Sequence, residues 1–350
     1  MKLLLCLLLA CLGRVHAASL PLFAADDPHL RYTGRVDFSQ PRQPRFWAPG
    51  VYVEAHFAGP RCEVLLRDEV RYGTSHNWVE VVVDGHATRR KLTGPENVLV
   101  VADHLGPGLH TLLLCKDTEA EQGYLSLTGL RCQRLLPLPP RPAHRIEFAG
   151  NSITCGYGAD TSAVACHRGQ WYDQHNAYQA YGPRTARALG ADWQLTAESG
   201  IGLIHSCCNK PNLLPQEFST VDLRVGGLPW SFARYQPEVV TICLGQNDGV
   251  QDSAQFCGAY LAFLRTLRGH YPQARLVCLT SPMADARLAA VLRRYLAGVV
   301  AAAQAAGDAR VSSYFFRVRY TSGCDGHPSL AEQGLIAEEL TGYLRELMGW

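Results

Sequence analysis

At 350 residues, nearly half of them hydrophobic, the chain is long enough to form two domains with a core in each. Its formal net charge is only +2, and no run of like charges occurs, whereas nucleic-acid-binding proteins usually carry a basic stripe. We therefore expect no nucleic acid among its partners.

The first 17 residues have the layout of a secretory signal peptide. Lys2 precedes an apolar stretch from Leu3 to Leu12, and small residues surround Ala17, after which cleavage is predicted. The stretch is too short to span a bilayer, and no transmembrane segment is predicted elsewhere. A bacterial lipoprotein box is the alternative interpretation, in which Cys11 would carry a lipid anchor. Either way, the sequence predicts a secreted or periplasmic protein.

Residues 18–138 are predicted to form an antiparallel β-sandwich. Short alternating segments follow one another without a long helical period, and turn signals such as Asp84-Gly85 separate them. The segments read VYVEAHFAG, CEVLLRD, WVEVVVDG, NVLVVADHL, HTLLLCKD and GYLSLTGLRC. The stretch LPLPPRPA (136–143) then has four prolines among eight residues, which is typical of a stiff linker between domains.

Residues 144–350 are predicted to form a three-layer α/β/α domain with a parallel sheet. Short apolar strands, such as HRIEFAG and PEVVTICLG, alternate with long helical stretches, such as ARLAAVLRRYLAGVVAAAQAAG. In such folds the functional groups lie in loops just beyond the carboxyl ends of the strands. The functional residues are therefore expected just beyond the carboxyl ends of these strands.

The thirteen cysteines do not indicate a metal site. Two lie in the predicted signal peptide, and the remaining eleven are an odd number that cannot all pair within one chain. Cys115 and Cys243 lie in apolar runs and are expected as buried hydrophobic residues. The adjacent Cys207 and Cys208 lack a metal-binding spacing, so no metal site is expected. The sequence leaves any disulfide pairing open.

Ser152 is the candidate nucleophile. It follows the strand RIEF within four residues, in a glycine-flanked turn. A serine hydroxyl needs a base to take its proton, and His327 in CDGHPS is the candidate base. Asp325 lies two residues before it, where its carboxylate could orient the imidazole.

Three donors are candidates for the oxyanion hole that such a serine requires. One is the backbone N–H of Ser152, and another is that of Gly200 in AESGIG, where no side chain would be in the way. The third is the side-chain amide of Asn247 in LGQND. Each residue alone is common turn or capping chemistry, but their occurrence in this order, each at a strand end, favours a catalytic site.

The blocks GNSI, SGIG, GQND and DGHPS resemble the four signature blocks of the SGNH (GDSL-type) hydrolases. The longer stretches IEFAGNSITCGYGA and YQPEVVTICLGQND resemble the family 2 carbohydrate esterases, and the upstream β region resembles their N-terminal jelly-roll domain. This resemblance implies deacetylation of plant cell-wall polysaccharides, such as acetylated xylan and glucomannan, without a metal or cofactor.

The resemblance also implies roles for individual residues. It makes Ser152 the nucleophile and His327 the general base, with Ser152 N–H, Gly200 and Asn247 in the oxyanion hole. The usual aspartate before the serine is replaced by Asn151, which is expected to tune the site without abolishing it. Some family members orient the histidine with a backbone carbonyl, but Asp325 is present here and is assigned that role.

Trp171 and Trp230 are candidate substrate contacts, because sugars stack on aromatic faces and both lie in loops near the signature blocks. Packing in the core is the alternative for both.

Two other functions remain open from the sequence. The same triad could serve a lipase, lysophospholipase or thioesterase, although no apolar lid segment is present. The chain could also be a catalytically inactive carbohydrate-binding protein.

Overall fold

The computed structural model describes residues 20–350, so the predicted signal peptide and Cys11 lie outside the described residues. The N-terminal part of the described chain is an antiparallel β-sheet unit, and the C-terminal part is a parallel sheet covered by helices. Both predicted fold types are confirmed. We refer to the two parts as the β unit and the α/β unit.

Nine strands form the β unit. They are β1 (Leu22–Ala24), β2 (Arg31–Thr33), β3 (Arg45–Phe46), β4 (Tyr52–Asp68), β5 (Trp78–Val83), β6 (His86–Lys91), β7 (Glu96–Ala102), β8 (Leu109–Lys116) and β9 (Leu125–Leu136). Strand β4 pairs with β2, β7, β8 and β9, always antiparallel, and so connects the unit.

Strand β4 runs through a point at which the sequence suggests two separate strands. Gly59 and Pro60 usually end a strand, since proline has no N–H for the ladder. Here the pairing with β9 shifts its register between Ala58 and Cys62, and the irregularity accommodates both residues without a break. As a result, all nine strands belong to one hydrogen-bonded network.

The α/β unit has five parallel strands in the order β11-β10-β12-β13-β14. They are β10 (His144–Gly150), β11 (Ala191–Ala197), β12 (Val239–Ile242), β13 (Arg275–Leu279) and β14 (Val311–Tyr314). The helices are α1 (Ser152–Cys155), α2 (Tyr181–Ala188), α3 (Leu214–Glu217), α4 (Ser253–His270), α5 (Ala286–Ala305) and α6 (Leu330–Met348).

Two hydrophobic cores lie on opposite faces of this sheet. Val240 of β12 packs in the core that α4 and α5 cover, while the adjacent Val239 packs in the core that α2 and α6 cover. Leu276 and Val277 of β13 divide in the same way, as the two-residue repeat of a strand requires. This arrangement is the predicted three-layer domain.

The β and α/β units are joined by buried contacts. The ring of Tyr52 stacks on Trp193 with centroids 4.0 Å apart, and its hydroxyl donates to Asp192 at 2.7 Å. Trp193 in turn donates its indole N–H to the carbonyl of Gly50 at 2.9 Å. A fully buried ion pair joins Arg35 of the β unit to Glu147 of β10, with 3.1 Å between Nη2 and Oε1. These contacts fix the position of the β unit against the sheet.

Helix α5 is the one helix in residues 20–350 that is long and apolar enough to cross a membrane. Its buried face, including Leu292, Leu296 and Val299, packs in the core of the α/β unit. Its length and composition are therefore those of a core helix of the α/β unit, which meets the same criteria.

Candidate active site

Ser152 lies in a tight turn at the carboxyl end of β10. Asn151 precedes it with an extended backbone, and its side-chain oxygen accepts a hydrogen bond from the N–H of Ile153 at 3.3 Å. Ser152 then begins α1, a single turn that Gly156 ends in the left-handed conformation (φ 72°). Asn151 thus caps the turn without the charge of an aspartate, and the turn presents the hydroxyl of Ser152 at the strand ends.

His327 lies against this hydroxyl. Its Nε2 is 2.8 Å from Ser152 Oγ, and its Nδ1 is 3.2 Å from the backbone carbonyl oxygen of Asp325. A carbonyl can only accept a hydrogen bond, so Nδ1 carries the ring hydrogen and Nε2 is free to take the proton of the serine. Burial lowers the pKa of His327 below its usual value, which favours this neutral form.

The predicted role of the Asp325 carboxylate is wrong. Asp325 has a left-handed backbone (φ 52°), and Gly326 follows with φ 70°. This turn directs the carbonyl of Asp325 to the imidazole and its side chain outward, where Oδ2 accepts a hydrogen bond from Tyr157 at 2.9 Å. The residue therefore orients His327 through its main chain.

Tyr157 forms the floor beneath the imidazole. Its ring lies 4.3 Å from that of His327 and 4.5 Å from that of the buried His175, measured between centroids. Trp171 stacks against Tyr157 from another side, with centroids 5.9 Å apart. His327 is therefore held by a packed aromatic group as well as by hydrogen bonds.

A disulfide bond joins the loop that carries His327 to the insertion after Ser152. Cys166 and Cys324 are bonded, with their Cα atoms 5.3 Å apart. Cys324 lies three residues before His327, and Cys166 lies in the insertion that leads to Trp171. The insertion is thus covalently attached to the loop that carries His327.

The three predicted oxyanion donors lie along the same cleft as Ser152. Gly200 is left-handed (φ 80°), and its N–H donates to no other group within residues 20–350. Asn247 donates one amide hydrogen to the carbonyl of Ile201 at 2.7 Å, which leaves the second available. The N–H of Ser152 lies in the first turn of α1, where it has no partner within the helix.

Asp248 ties two of these blocks together. Its carboxylate accepts hydrogen bonds from the N–H groups of Leu203, Ile204 and His205, at 2.7 to 3.1 Å. These residues lie three to five positions after Gly200, and Asp248 directly follows Asn247. Asp248 is the last residue of LGQND, and no role was predicted for it. Its position beside a predicted oxyanion donor could have indicated that its carboxylate supports the site.

The cleft over Ser152 has a volume of about 640 Å³, within the range of small-molecule sites. Its lining is aromatic and polar, with Tyr157, Trp171, Glu121, Asn209 and Lys210 around the candidate catalytic groups. Trp171 is 42% exposed at the edge of the cleft, where a ligand can reach its face. The adjacent Cys207 and Cys208 are disulfide-bonded and line the same cleft.

The prediction of Trp230 as a substrate contact is wrong. Trp230 is only 7% exposed and packs with the core of the β unit, away from the cleft. Its ring lies under the guanidinium of Arg35, 5.6 Å from the centroid. The alternative of core packing holds for this residue, because the loop after α3 packs on the β unit.

Cys115 and Cys243 are buried with free thiols, as expected for small hydrophobic residues. The part of the chain that the structure describes contains no group of three or more His, Cys, Asp or Glu side chains arranged to hold a metal ion.

Two family models together match most of the described chain. The model described as "Carbohydrate esterase 2 N-terminal" matches residues 32–142, and that described as "GDSL-like Lipase/Acylhydrolase family" matches residues 148–331. An acetylxylan esterase / glucomannan deacetylase from Cellvibrio japonicus is 30% identical, and the match covers 93% of this chain and 91% of the relative. The chain belongs to the family 2 carbohydrate esterases.

Further relatives and solved structures are also similar to this family 2 esterase along most of its length. The cellulase/esterase CelE from Acetivibrio thermocellus is 32% identical over 93% of this chain, which spans only 40% of the length of CelE. A family 2 carbohydrate esterase from Clostridium thermocellum in complex with cellohexaose has a TM-score of 0.85 and 31% identity, covering 92% of this chain and 99% of that one. One from Cellvibrio japonicus also has a TM-score of 0.85, with 28% identity over 95% and 99% of the two chains.

Proposed function

We propose that this carbohydrate esterase removes O-acetyl groups from plant cell-wall polysaccharides, such as acetylated xylan and glucomannan, with Ser152 as nucleophile. The observation that carries the proposal is the 2.8 Å contact between Ser152 Oγ and His327 Nε2, whose Nδ1 is oriented by a carbonyl. The same cleft contains Gly200 and Asn247, which have N–H groups left for an oxyanion.

The proposed reaction follows from this geometry. His327 takes the proton of Ser152 as Oγ attacks the acetyl carbonyl, and the resulting oxyanion accepts hydrogen bonds from the N–H groups of Ser152, Gly200 and Asn247. The C–O bond to the sugar breaks, and His327 returns the proton to the leaving sugar hydroxyl. Water, deprotonated by His327, then attacks the acetyl-serine. The bond between the acetyl carbon and Oγ breaks, His327 returns the proton to Oγ, and acetate is released.

Three findings support a glycan substrate over a long-chain ester. One is the name of the Cellvibrio japonicus relative, acetylxylan esterase / glucomannan deacetylase. Another is the mixed polar and aromatic lining of the cleft, where the exposed face of Trp171 suits a sugar ring. The cellohexaose bound by a similar structure also supports it.

We also propose that the protein acts outside the cytoplasm. Support comes from the predicted signal peptide and from the disulfide between Cys166 and Cys324, since disulfides persist mainly in oxidising compartments. Expression with and without residues 1–17, followed by fractionation of the culture, tests this proposal.

The substrate class is tested by measuring acetate release from acetylated xylan and acetylated glucomannan, beside hydrolysis of a long-chain p-nitrophenyl ester. Wild-type protein is expected to release acetate from the polysaccharides, and Ser152→Ala serves as the blank. Cleavage of the long-chain ester alone would favour the lipase-like alternative. If neither variant cleaves any of the three, a carbohydrate-binding function becomes the better interpretation.

Asp325→Asn is expected to retain activity within about tenfold of wild type, because the substitution leaves the orienting carbonyl in place. Where a carboxylate itself orients the histidine, the same change lowers kcat by about 10⁴-fold. The kcat for acetate release distinguishes these cases, with His327→Gln as the inactive reference. A loss of a thousandfold or more in Asp325→Asn would contradict orientation by the main chain.

The pH dependence should reflect the lowered pKa of His327. Only the neutral imidazole can accept the serine proton, so activity is absent at low pH and rises as His327 loses its proton. Burial lowers the pKa, so the main rise in kcat/KM is expected to have its midpoint below the usual value of 6.5. A kcat/KM profile between about pH 4 and about pH 8 measures it. A main rise centred above 6.5 would contradict the prediction.

A further inference from the structure

Glu119 of the β unit reaches into the α/β unit behind the oxyanion donors. It lies three residues after the end of β8 and is fully buried. Its carboxylate accepts two hydrogen bonds from Ser199, one from the backbone N–H at 2.6 Å and one from the side-chain hydroxyl. Ser199 directly precedes Gly200 in the chain.

This double contact fixes the peptide that carries one oxyanion donor. The N–H of Gly200 belongs to the peptide between Ser199 and Gly200, so holding Ser199 at two atoms limits rotation of that peptide. Gly200 has a left-handed backbone and its N–H has no partner within residues 20–350. An oxyanion donor is effective only when its direction is set before the reaction, and Glu119 sets it from behind.

Glu119 is itself held rigidly. The side-chain nitrogen of Lys116 donates hydrogen bonds to the carbonyls of Thr118 at 2.6 Å and Glu119 at 2.8 Å. The N–H of Glu119 donates to the side-chain oxygen of Gln122 at 3.1 Å. The turn after β8 is therefore fixed to the β unit by both its side chains and its main chain.

Glu119 also contacts the aromatic stack beneath His327. Oε1 lies 3.4 Å from Nδ1 of His175, whose ring packs beneath Tyr157, and Tyr157 packs beneath His327. One buried carboxylate is thus in contact with the turn of the oxyanion hole and with the aromatic stack under the base.

We propose that Glu119 is a positioning residue for the deacetylation proposed above, and that the β unit completes the active site through it. The inference rests on the proposed function, since it assigns to Gly200 the stabilisation of the oxyanion. It gives the β unit a part in catalysis, which the sequence alone does not reveal.

The charge of Glu119 is part of this role. The titratable groups around it are Lys116, three residues before it, His175 and Tyr157 of the aromatic stack, Cys155 of α1, and Glu198 and Lys210 around the oxyanion turn. Both contacts with Ser199 are donated to the carboxylate, so the ionised form satisfies both. Burial raises the pKa of Glu119 to about 7. Below that pH a proton occupies one carboxyl oxygen and weakens the hold on Ser199.

Glu119→Gln tests the proposal, because it keeps the volume of the side chain and removes one acceptor. With p-nitrophenyl acetate as substrate, kcat is expected to fall by about 10- to 100-fold while KM stays within about threefold, since the oxyanion exists only in the transition state. Wild type is expected to show a second, smaller rise of kcat/KM near pH 7, and this rise should be absent from Glu119→Gln. Ser199→Ala removes only the hydroxyl donor and is expected to lose about threefold to tenfold in kcat.

Glu96→Gln, which alters an exposed carboxylate on β7, is the matched control and should behave as wild type. If Glu119→Gln does not fold, as judged by circular dichroism, Ser199→Ala alone decides the question. A kcat within twofold of wild type in the folded variants, with the rise near pH 7 retained, would overturn the proposal. If wild type itself does not cleave the ester, the proposed function fails instead, so the two failures are distinguishable.

Discussion

Replacement of Ser152 by alanine is expected to lower kcat for acetate release by at least about 10⁴-fold, since in other serine hydrolases loss of the nucleophile leaves only the contribution of the oxyanion hole and binding. The change removes the proposed nucleophile, the Oγ that lies 2.8 Å from Nε2 of His327. KM should change little, because the walls of the cleft are untouched. Initial rates of acetate release at several concentrations of acetylated xylan measure both constants.

The fold of Ser152→Ala is expected to be preserved, because Asn151 still caps α1 and a hydroxyl is a small loss of volume. Ser231→Ala, at an exposed serine outside the cleft, is the control and should retain full activity. Labelling by diisopropyl fluorophosphate provides a second readout, expected for wild type and absent from Ser152→Ala. Activity above about a tenth of wild type in Ser152→Ala would exclude Ser152 as the nucleophile.

Replacement of Arg35 by methionine is expected to lower the free energy of unfolding by about 3 to 5 kcal/mol. Arg35 and Glu147 form an ion pair without solvent exposure, and Arg35 also donates to the carbonyls of Phe218 and Thr220. Methionine has a similar volume, but it leaves the carboxylate of Glu147 buried without a cation. The loss should appear in urea unfolding followed by tryptophan fluorescence.

The double variant Arg35→Met/Glu147→Gln should recover part of this loss, because the uncompensated charge is gone. The exposed pair of Arg67 and Glu96 has a similar separation, 2.9 Å, with side chains 44% and 64% exposed. Arg67→Met is therefore the matched control, expected to cost no more than about 1 kcal/mol. If the buried and exposed variants lost equal stability, burial would not be the reason for the importance of Arg35.

The fold types of the two units were predictable because their hydrophobic patterns are regular. Strand β4 was not predictable as one strand. Its Gly59-Pro60 pair is a local signal for the end of a strand, but pairing with β9 continues on both sides of it. Strand β14 (Val311–Tyr314) has a single buried residue among four and therefore no readable pattern. Helix α6 does have a signal that sequence reasoning did not use, a capping box between Ser329 and Glu332.

Within the site, the residues at strand ends were predictable, because strand ends of a parallel sheet converge. Ser152, Gly200 and Asn247 were found in that way. His327 was predicted as the base that a serine requires, but it lies 13 residues beyond the end of β14, in the turn before α6. All four line one cleft. The part played by Asp325 depends on a left-handed backbone, which a sequence without glycine at that position does not indicate. Glu119 lies in the other unit, 33 positions before Ser152, and no local pattern marks it.

The stacking of Tyr52 on Trp193 has a consequence for how such a protein can evolve by recombination. The proline-rich stretch between β9 and β10 is a natural place for genes to be cut and rejoined. However, two residues of the β unit contact Trp193. Tyr52 stacks on its ring, and the carbonyl of Gly50 accepts its indole N–H. A chimera with a foreign β unit would lose both partners and expose a large apolar ring. The two units should therefore be inherited as a pair, although the chain between them looks like a modular joint.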